Sequence, residues 1–514
     1  MQPFDPFQLS YSGTHLIEAS AGTGKTYSIA SLYVRAIVDE NKTVDEILVV
    51  TYTEAATKEL RDRLLSRLRE SIHILRGDET SEDAFLEALF NYVDDKAAAI
   101  RKLQQAIHSF DEAAVFTIHG FCRQVLQNQA FESKALFDME LVGDDSELVG
   151  EMILDYWRRW VREATDDPQK RPLLKLLMDK KINPDSLTEK LAKHVGKPYL
   201  DVYPRELPLN KFYDSISKLQ ELFEQLQNIW SDYKEDITTL LMSDKMNGRS
   251  YKPASIPDWA SEMDIWLQSK VVPLTWFEKF EKFGQSVINE STVKAAADDP
   301  PQHPFFAAVD IYINRAGEVQ RFDVAFSRHL FAALCNQLGD KKEELKVYSF
   351  DDLLTKLQRA LADSPSLSNV LRNNYPVALV DEFQDTDPIQ YQIFSAIYNS
   401  DDTESVLFMI GDPKQSVYSF RGADIFTYLQ AKNNVSEEHM YGLEKNFRSV
   451  PPLIKAVNKL FSFRENPFML NKIPFNDVVP GREKYGALKI DEHSALPIQI
   501  NRLGHSDDDF PINK

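Results

Sequence analysis

Ala19-Ser20-Ala21-Gly22-Thr23-Gly24-Lys25-Thr26 is the stretch whose reading decides the fold of this 514-residue chain. It follows the apolar His15-Leu16-Ile17 and precedes the helix-like Tyr27-Ser28-Ile29-Ala30-Ser31-Leu32-Tyr33-Val34. The order is strand, glycine loop, helix. Such a loop turns its backbone N–H groups toward phosphates at a helix N-terminus, where the helix dipole favours anions. Lys25 would reach the β- and γ-phosphates, and the Thr26 hydroxyl would bind Mg²⁺. The stretch therefore predicts binding of a nucleoside triphosphate. Ala19 stands where the common pattern has glycine, a small residue that keeps the turn tight.

Working outward, the length predicts roughly three structural units. Hydrophobic residues make up 43% and charged residues 27%, ordinary values for a soluble globular protein. No apolar run reaches the about 18 residues of a membrane span. Met1-Gln2-Pro3-Phe4-Asp5 has neither the basic nor the apolar part of a secretory signal. The two cysteines, Cys122 and Cys335, form no disulfide framework or metal cluster by themselves, and a reducing cytoplasm is the simplest compartment. A net charge of −20 argues against a surface coated for nucleic acid, while leaving room for a local basic channel.

Five apolar runs carry the strand signal: Leu16-Ile17, Ile47-Leu48-Val49-Val50-Thr51, Val115-Phe116-Thr117-Ile118, Val377-Ala378-Leu379-Val380 and Val406-Leu407-Phe408-Met409-Ile410. Continuous apolarity suits strands buried on both faces of a parallel sheet. Helical patterns lie between them, as at Leu60, Leu64 and Leu68. This predicts an α/β core. A largely helical insertion interrupts it over 143–348, with Tyr156, Trp157 and Trp160 and the periodic run Ile216 to Ile229. Pro253, Pro257, Pro273, Pro300, Pro301 and Pro304 mark a looser stretch there, and its aromatic residues read as packing. The expected organisation is 1–142 and 349–445 for the two parts of the core, 143–348 for the insertion, and 446–514 for the start of a further unit. The tail Ser506-Asp507-Asp508-Asp509 reads as a stop within that unit.

A second signal is Val380-Asp381-Glu382-Phe383-Gln384-Asp385, at the end of the fourth apolar run. Asp381 there can hold Mg²⁺ through water, and Glu382 can orient or deprotonate an attacking water. Asp385 or Asp387 can also serve as a helix N-cap. A third signal is Gly411-Asp412-Pro413-Lys414-Gln415-Ser416-Val417-Tyr418-Ser419-Phe420-Arg421-Gly422-Ala423. Gln415 can sense a γ-phosphate. Tyr418 and Phe420 can stack on bases, each stack contributing roughly 1–3 kcal/mol. Phe420 suits a core position equally well.

Taken in order with Val50-Thr51-Tyr52-Thr53-Glu54-Ala55-Ala56, Phe116-Thr117-Ile118-His119-Gly120-Phe121 and Leu443-Glu444-Lys445-Asn446-Phe447-Arg448-Ser449, these motifs resemble the UvrD/Rep-like superfamily-one DNA helicases. Glu18 through Thr26, Phe116 through Cys122 and Ala130-Phe131-Glu132-Ser133 are closer still to the RecB branch of that family, the β subunits of exodeoxyribonuclease V. The resemblance implies a RecA-like P-loop NTPase core using ATP and Mg²⁺. It implies nucleotide contact by Ala19, Ser20, Ala21, Gly22, Thr23, Gly24, Lys25 and Thr26, with Phe447 stacked on adenine. Thr26 and Asp381 would hold the metal. Lys25, Asp381, Glu382, Gln415 and Arg448 would form the hydrolytic site, the last two at the γ-phosphate. Thr51, Tyr52, Thr117, His119 and Phe420 match positions along a single-stranded DNA path. Lys58, Arg61, Arg63 and Arg67 read equally as a solvated helix face or a phosphate track. Gln8 is the nearest candidate for an adenine-reading glutamine.

The implied partners are single-stranded and duplex-end DNA and RecC-like and RecD-like subunits, with three-prime to five-prime movement in recombinational repair. Later helicase motifs and the nuclease carboxylates of the branch are not found before Lys514, so these residues alone are expected to bind ATP weakly and not to unwind DNA. A stand-alone UvrD/Rep-like helicase, an AddA-like subunit and a non-catalytic DNA-binding module are the competing readings.

Overall fold

The continuous apolar runs become the strands of one parallel sheet. A computed structural model describes residues 1–78, 83–128, 140–398, 404–416, 424–481, 489–490, 493–494 and 498. They divide into two compact units, Met1–Asp138 with Phe350–Lys514, and Met139–Ser349.

In the first unit the strands are β1 (Gln2–Pro3), β2 (Gly13–Ala19), β3 (Ile47–Thr51), β4 (Val115–Thr117), β5 (Val377–Val380), β6 (Val406–Gly411) and β7 (Met440–Leu443). They lie in the order β1-β7-β2-β6-β5-β3-β4. Every neighbouring pair is parallel. Strands β3, β5 and β6 are buried along their whole length, which is why their sequences do not alternate.

Helix α1 (Lys25–Val38) follows β2 and is buried from Ser28 to Val38. Helix α2 (Glu54–Arg76) follows β3. Thr53 caps it by accepting from the Ala56 N–H at 3.1 Å, and Gly77 ends it at φ 76°. Leu60, Leu64 and Leu68 are buried on the face of α2 that joins the sheet core. Each such side chain contributes about 1.5–3 kcal/mol on leaving water.

The second unit is helical, with its own core. Asn210–Leu241 is its longest helix, and Ile216, Leu219, Phe223, Leu226 and Trp230 form its buried stripe. Trp266, Phe280 and Tyr312 cluster beside it, with ring centroids 4.5 Å apart for Trp266 and Phe280. The indole of Trp266 donates to Thr275 O at 3.0 Å and the Tyr312 hydroxyl to Pro273 O at 2.6 Å, so these large rings are buried without orphaned polar tips. Pro257 and Pro304 sit in the first turns of Ile256–Leu267 and Pro304–Val319, where a missing N–H is harmless. Short strands Glu140–Val142 and Val347–Ser349 pair in parallel where the chain enters and leaves the unit. Among the described residues no helix is long and apolar enough to cross a membrane.

Candidate functional site

Because the strands are parallel, their carboxyl ends share one edge, the usual place for a ligand in such sheets. Six segments meet there: the loop after β2, Tyr52 and Thr53 after β3, Ile118 onward after β4, Asp381 to Asp385 after β5, Asp412 to Gln415 after β6, and Glu444 to Arg448 after β7.

The loop after β2 is shaped by two glycines with positive φ, Gly22 at 78° and Gly24 at 101°. The Thr23 hydroxyl donates to Ser20 O at 2.7 Å and braces the turn. Helix α1 begins at Gly24 with no side-chain cap and no acidic residue in its first turn. Among the described residues its first N–H groups thus have no capping carboxylate or hydroxyl, as an anion site requires. Thr26 is the second residue of this helix. Lys25 pairs with Glu382, 357 positions away, and is largely buried while Glu382 stays partly open. These features fit a triphosphate: open donors, an ammonium at the loop's end, and no Cβ in the way.

Glu382 is held in left-handed backbone geometry, φ 48°, directly after Asp381. Its N–H donates to Asp381 Oδ1 at 2.9 Å. Burial, then the Glu382 charge, push the Asp381 carboxyl up to about 6, against the pull of Lys25. Asp385 is raised to about 6 by the same two causes in the same order. A divalent cation between such carboxylates would relieve this excess of negative charge, so the donor set fits Mg²⁺. Asp387 caps Pro388–Tyr398 through the N–H groups of Ile389 and Gln390, at 2.8 and 2.9 Å.

Gln384 was not singled out from the sequence, yet it is a hub. It is 2% exposed. Its Nε2 donates to Glu382 Oε2 at 2.7 Å and Asp385 Oδ2 at 3.2 Å, and its Oε1 accepts from the Asp412 N–H at 2.8 Å. Asp412 in turn holds Gln415 Nε2 at 2.7 Å and Lys414 Nζ at 2.9 Å. A cleft of about 340 Å³ opens here, with Thr51, Tyr52, Asp381, Glu382, Gln384 and Gln415 among its lining residues.

Arg448 is exposed, and its guanidinium makes no ion pair among the described residues. Phe447 is 46% exposed. One side of its ring lies on Gly481, where an added Cβ would come within 2.6 Å. Glu18, at the end of β2, accepts from Tyr428 Oη at 2.9 Å and from Lys432 Nζ at 2.7 Å.

The residues matched to a DNA path are dispersed in accessibility. Thr51 is 1% exposed, with its hydroxyl 2.5 Å from that of Thr57. Thr117 is 8% exposed, and its hydroxyl donates to Glu54 Oε1 at 3.2 Å. Tyr52 donates to Gln390 Oε1 at 2.9 Å, and burial raises its phenol well above the ordinary value. His119, the second residue of helix α3 (Ile118–Asn128), lies edge-on to Phe350 at 5.2 Å. Burial lowers its pKa, opposed by Asp351. Phe420 and Tyr418 lie outside the described residues, as do Ala130 to Ser133 and Ser506 to Asp509.

Of the four basic residues singled out on α2, Lys58 is exposed, while the other three have partners within the fold. Arg61 donates to the carbonyls of Ala113 and Phe110, both at 3.0 Å. Arg63 pairs with Glu59 at 2.6 Å. Arg67 is buried against Asp83 at 2.9 Å with its guanidinium 4.6 Å over the Tyr27 ring. Arg61 and Arg67 are therefore bound within the fold rather than free for a phosphate track. Gln8 is exposed and donates to Asp5 Oδ2 at 2.8 Å.

A parallel sheet with a phosphate loop, an acidic pair beyond a strand end and a glutamine-bearing turn one strand over defines a P-loop NTPase of the helicase type. Residues 5–436 match the UvrD/REP helicase N-terminal domain, and the chain belongs to that family. Similar proteins include the RecBCD enzyme subunit RecB of Escherichia coli (strain K12), 36% identical over 488 residues, covering 92% of this chain and 40% of that protein. The RecBCD enzyme subunit RecB of Haemophilus influenzae is 32% identical over 516 residues, covering 93% and 42%. That of Chlamydia trachomatis serovar D is 30% identical over 507 residues, covering 97% and 47%. The chain thus spans 40 to 47% of the length of these relatives.

Proposed function

We propose that this chain is the nucleotide-binding motor portion of a RecBCD-type helicase–nuclease subunit, which uses ATP and Mg²⁺ to move along DNA from double-strand ends in recombinational repair. The single observation that carries the reading is the pairing of Lys25 with Glu382 at the carboxyl edge of the sheet. It puts the base of a triphosphate cradle beside a carboxylate suited to direct water.

In this reading the triphosphate lies on the first turn of α1, and Lys25 exchanges Glu382 for a phosphate oxygen. Mg²⁺ at Thr26 and Asp381 would supply charge neutralisation of the phosphates. Glu382, released from Lys25 and still held by Gln384, orients the attacking water. Gln415 and Arg448 read the γ-phosphate, and Phe447 offers a ring face to adenine. Thr51, Tyr52, Thr117, His119 and Phe420 are assigned to the DNA path. We assign 143–348 to an inserted domain and 446–514 to the start of a second motor domain. The partners are RecC-like and RecD-like subunits and DNA, and the compartment is the cytoplasm.

The test is nucleotide binding by the chain, and DNA-stimulated hydrolysis and unwinding by the full-length protein, each compared with Lys25→Ala and Glu382→Gln. Binding is expected to fall with Lys25→Ala, and turnover with Glu382→Gln. Unwinding that survives Lys25→Ala would overturn the reading in favour of a non-catalytic DNA-binding role.

A further inference from the structure

The segment after β7 is fastened to the phosphate loop by one side chain. Asn446 is 9% exposed. Its Nδ2 donates to Ala21 O at 2.7 Å. Its Oδ1 accepts from the N–H groups of Arg448 at 2.9 Å and Ser449 at 2.8 Å. The Phe447 N–H donates to Gly22 O at 2.9 Å. A Cβ added to Gly22 would lie 2.6 Å from Arg448 Cβ and 3.0 Å from Asn446 Nδ2. The two backbones therefore touch, and Gly22 is required by its positive φ and by this approach alike.

One end of the Asn446 amide thus grips the loop that would bear the phosphates. The other end fixes the backbone from which Arg448 projects, as an Asx turn does. Arg448 is left with an exposed guanidinium and no carboxylate partner among the described residues. A guanidinium anchored at its root loses less freedom on meeting an anion, so more of its charge-assisted bond appears as affinity.

We propose that Asn446 is a positioning residue that makes the site favour nucleoside triphosphate over diphosphate, by holding Arg448 in register with the phosphate loop. The inference rests on the nucleotide-binding reading above. Loss of the amide frees the arginine's root and removes the advantage of a third phosphate.

The experiment titrates the chain with fluorescent adenosine di- and triphosphate in Mg²⁺. The proteins are wild type, Asn446→Ala, Arg448→Ala, the double variant and Asn446→Asp. Asn446→Ala is expected to cut the preference for triphosphate by about tenfold, the worth of one charge-assisted bond. Arg448→Ala should give the same loss, and the double variant no more than either. Asn446→Asp keeps both acceptor bonds but cannot donate to Ala21 O. It cuts the arginine's root from the loop and should lose the preference as Asn446→Ala does, and it serves where Asn446→Ala does not fold. The inference is overturned if Asn446→Ala or Asn446→Asp keeps the preference, if the effect of Asn446→Ala persists in the Arg448→Ala background, or if wild type shows none. A wild type that binds neither nucleotide overturns the nucleotide reading itself, and the inference with it.

Discussion

Gln384 and Glu382 share a hydrogen bond of 2.7 Å whose direction is fixed by the protein. The other end of the Gln384 amide accepts from the Asp412 N–H, and Gly411 leaves room for it, since a Cβ there would lie 2.7 Å from Gln384 Oε1. The amino group must therefore face Glu382. Replacement by Glu keeps the bond to Asp412 but sets a further carboxylate against Glu382 and Asp385. Gln384→Glu in the full-length protein is expected to lower turnover per bound nucleotide by about tenfold or more, the scale of a misplaced general base. Triphosphate affinity should hold. Steady-state hydrolysis alongside equilibrium binding separates the two, and lost affinity with intact turnover would count against this role.

Glu18 serves two donors, Tyr428 and Lys432, and is 11% exposed at the side chain. Glu18→Ala leaves the ammonium and the phenol unmatched at a largely buried place. Breaking one side of such a pair is expected to destabilise the sheet unit by about 3 kcal/mol. Glu18→Gln, which still accepts, should lose less. Denaturant unfolding measures both, and equal losses would show that the carboxylate's charge, rather than its shape or its acceptor oxygen, is what this position needs.

Asp381 gives the nucleotide site a pH dependence of definite sign. Its carboxyl is raised to about 6. A metal takes the ionised form, so protons compete with it below that pH. Affinity for the magnesium nucleotide is expected to strengthen as pH rises from 5 toward 7, approaching about tenfold per pH unit at the acid end, and then to level off. The same titration with EDTA in place of magnesium should be flatter. An affinity constant across pH 6 in magnesium would remove the metal from Asp381.

His15 sets an acid limit on stability. It is fully buried and stacked on Phe408 at 5.0 Å, with the His439 ring 4.3 Å away. Its Nε2 lies 3.0 Å from Ser12 O, while Nδ1 has no hydrogen-bond partner among the described residues. Burial first, then His439, bring its pKa down to about 4, against the bond to Ser12. The unfolded chain takes up a proton near 6.5 that the folded chain refuses until about 4, so stability is lost as pH falls through that window. The loss from this group is about 3 kcal/mol. Asp381 and Asp385 act oppositely, because their raised values favour the folded state as pH falls from about 6. The informative quantity is therefore the difference in Tm between wild type and His15→Phe. That difference should shift against wild type between pH 7 and 4; a constant difference would mean that His15 takes up its proton equally in the folded and unfolded states.

The sheet was readable in the sequence to the extent that its strands are buried on both faces. β3, β5 and β6 are unbroken apolar runs. β1 and β7 are not: Gln2–Pro3 is an exposed edge pair, and in Met440–Leu443 only Tyr441 is buried. The glycine loop was legible because its chemistry is local. Gln384 and Asn446 were not, because their roles depend on partners across the sheet edge, Asp412 for one and Ala21 for the other. For the same reason a basic stripe on α2 could not be distinguished from Arg61 and Arg67 bound to carbonyls and a carboxylate.

The strand order also bears on how the molecule is made. β2 and β3 are separated by β6 and β5, whose residues follow the entire helical insertion. When a ribosome has delivered β2, β3 and β4, the two strands that belong between the first pair do not yet exist. Their apolar faces must wait through more than two hundred further residues, while the helical unit, whose contacts are contiguous in the chain, is free to fold first. Those early strands, β2 and β3, thus stay without the sheet neighbours that separate them until the whole helical unit has been synthesised.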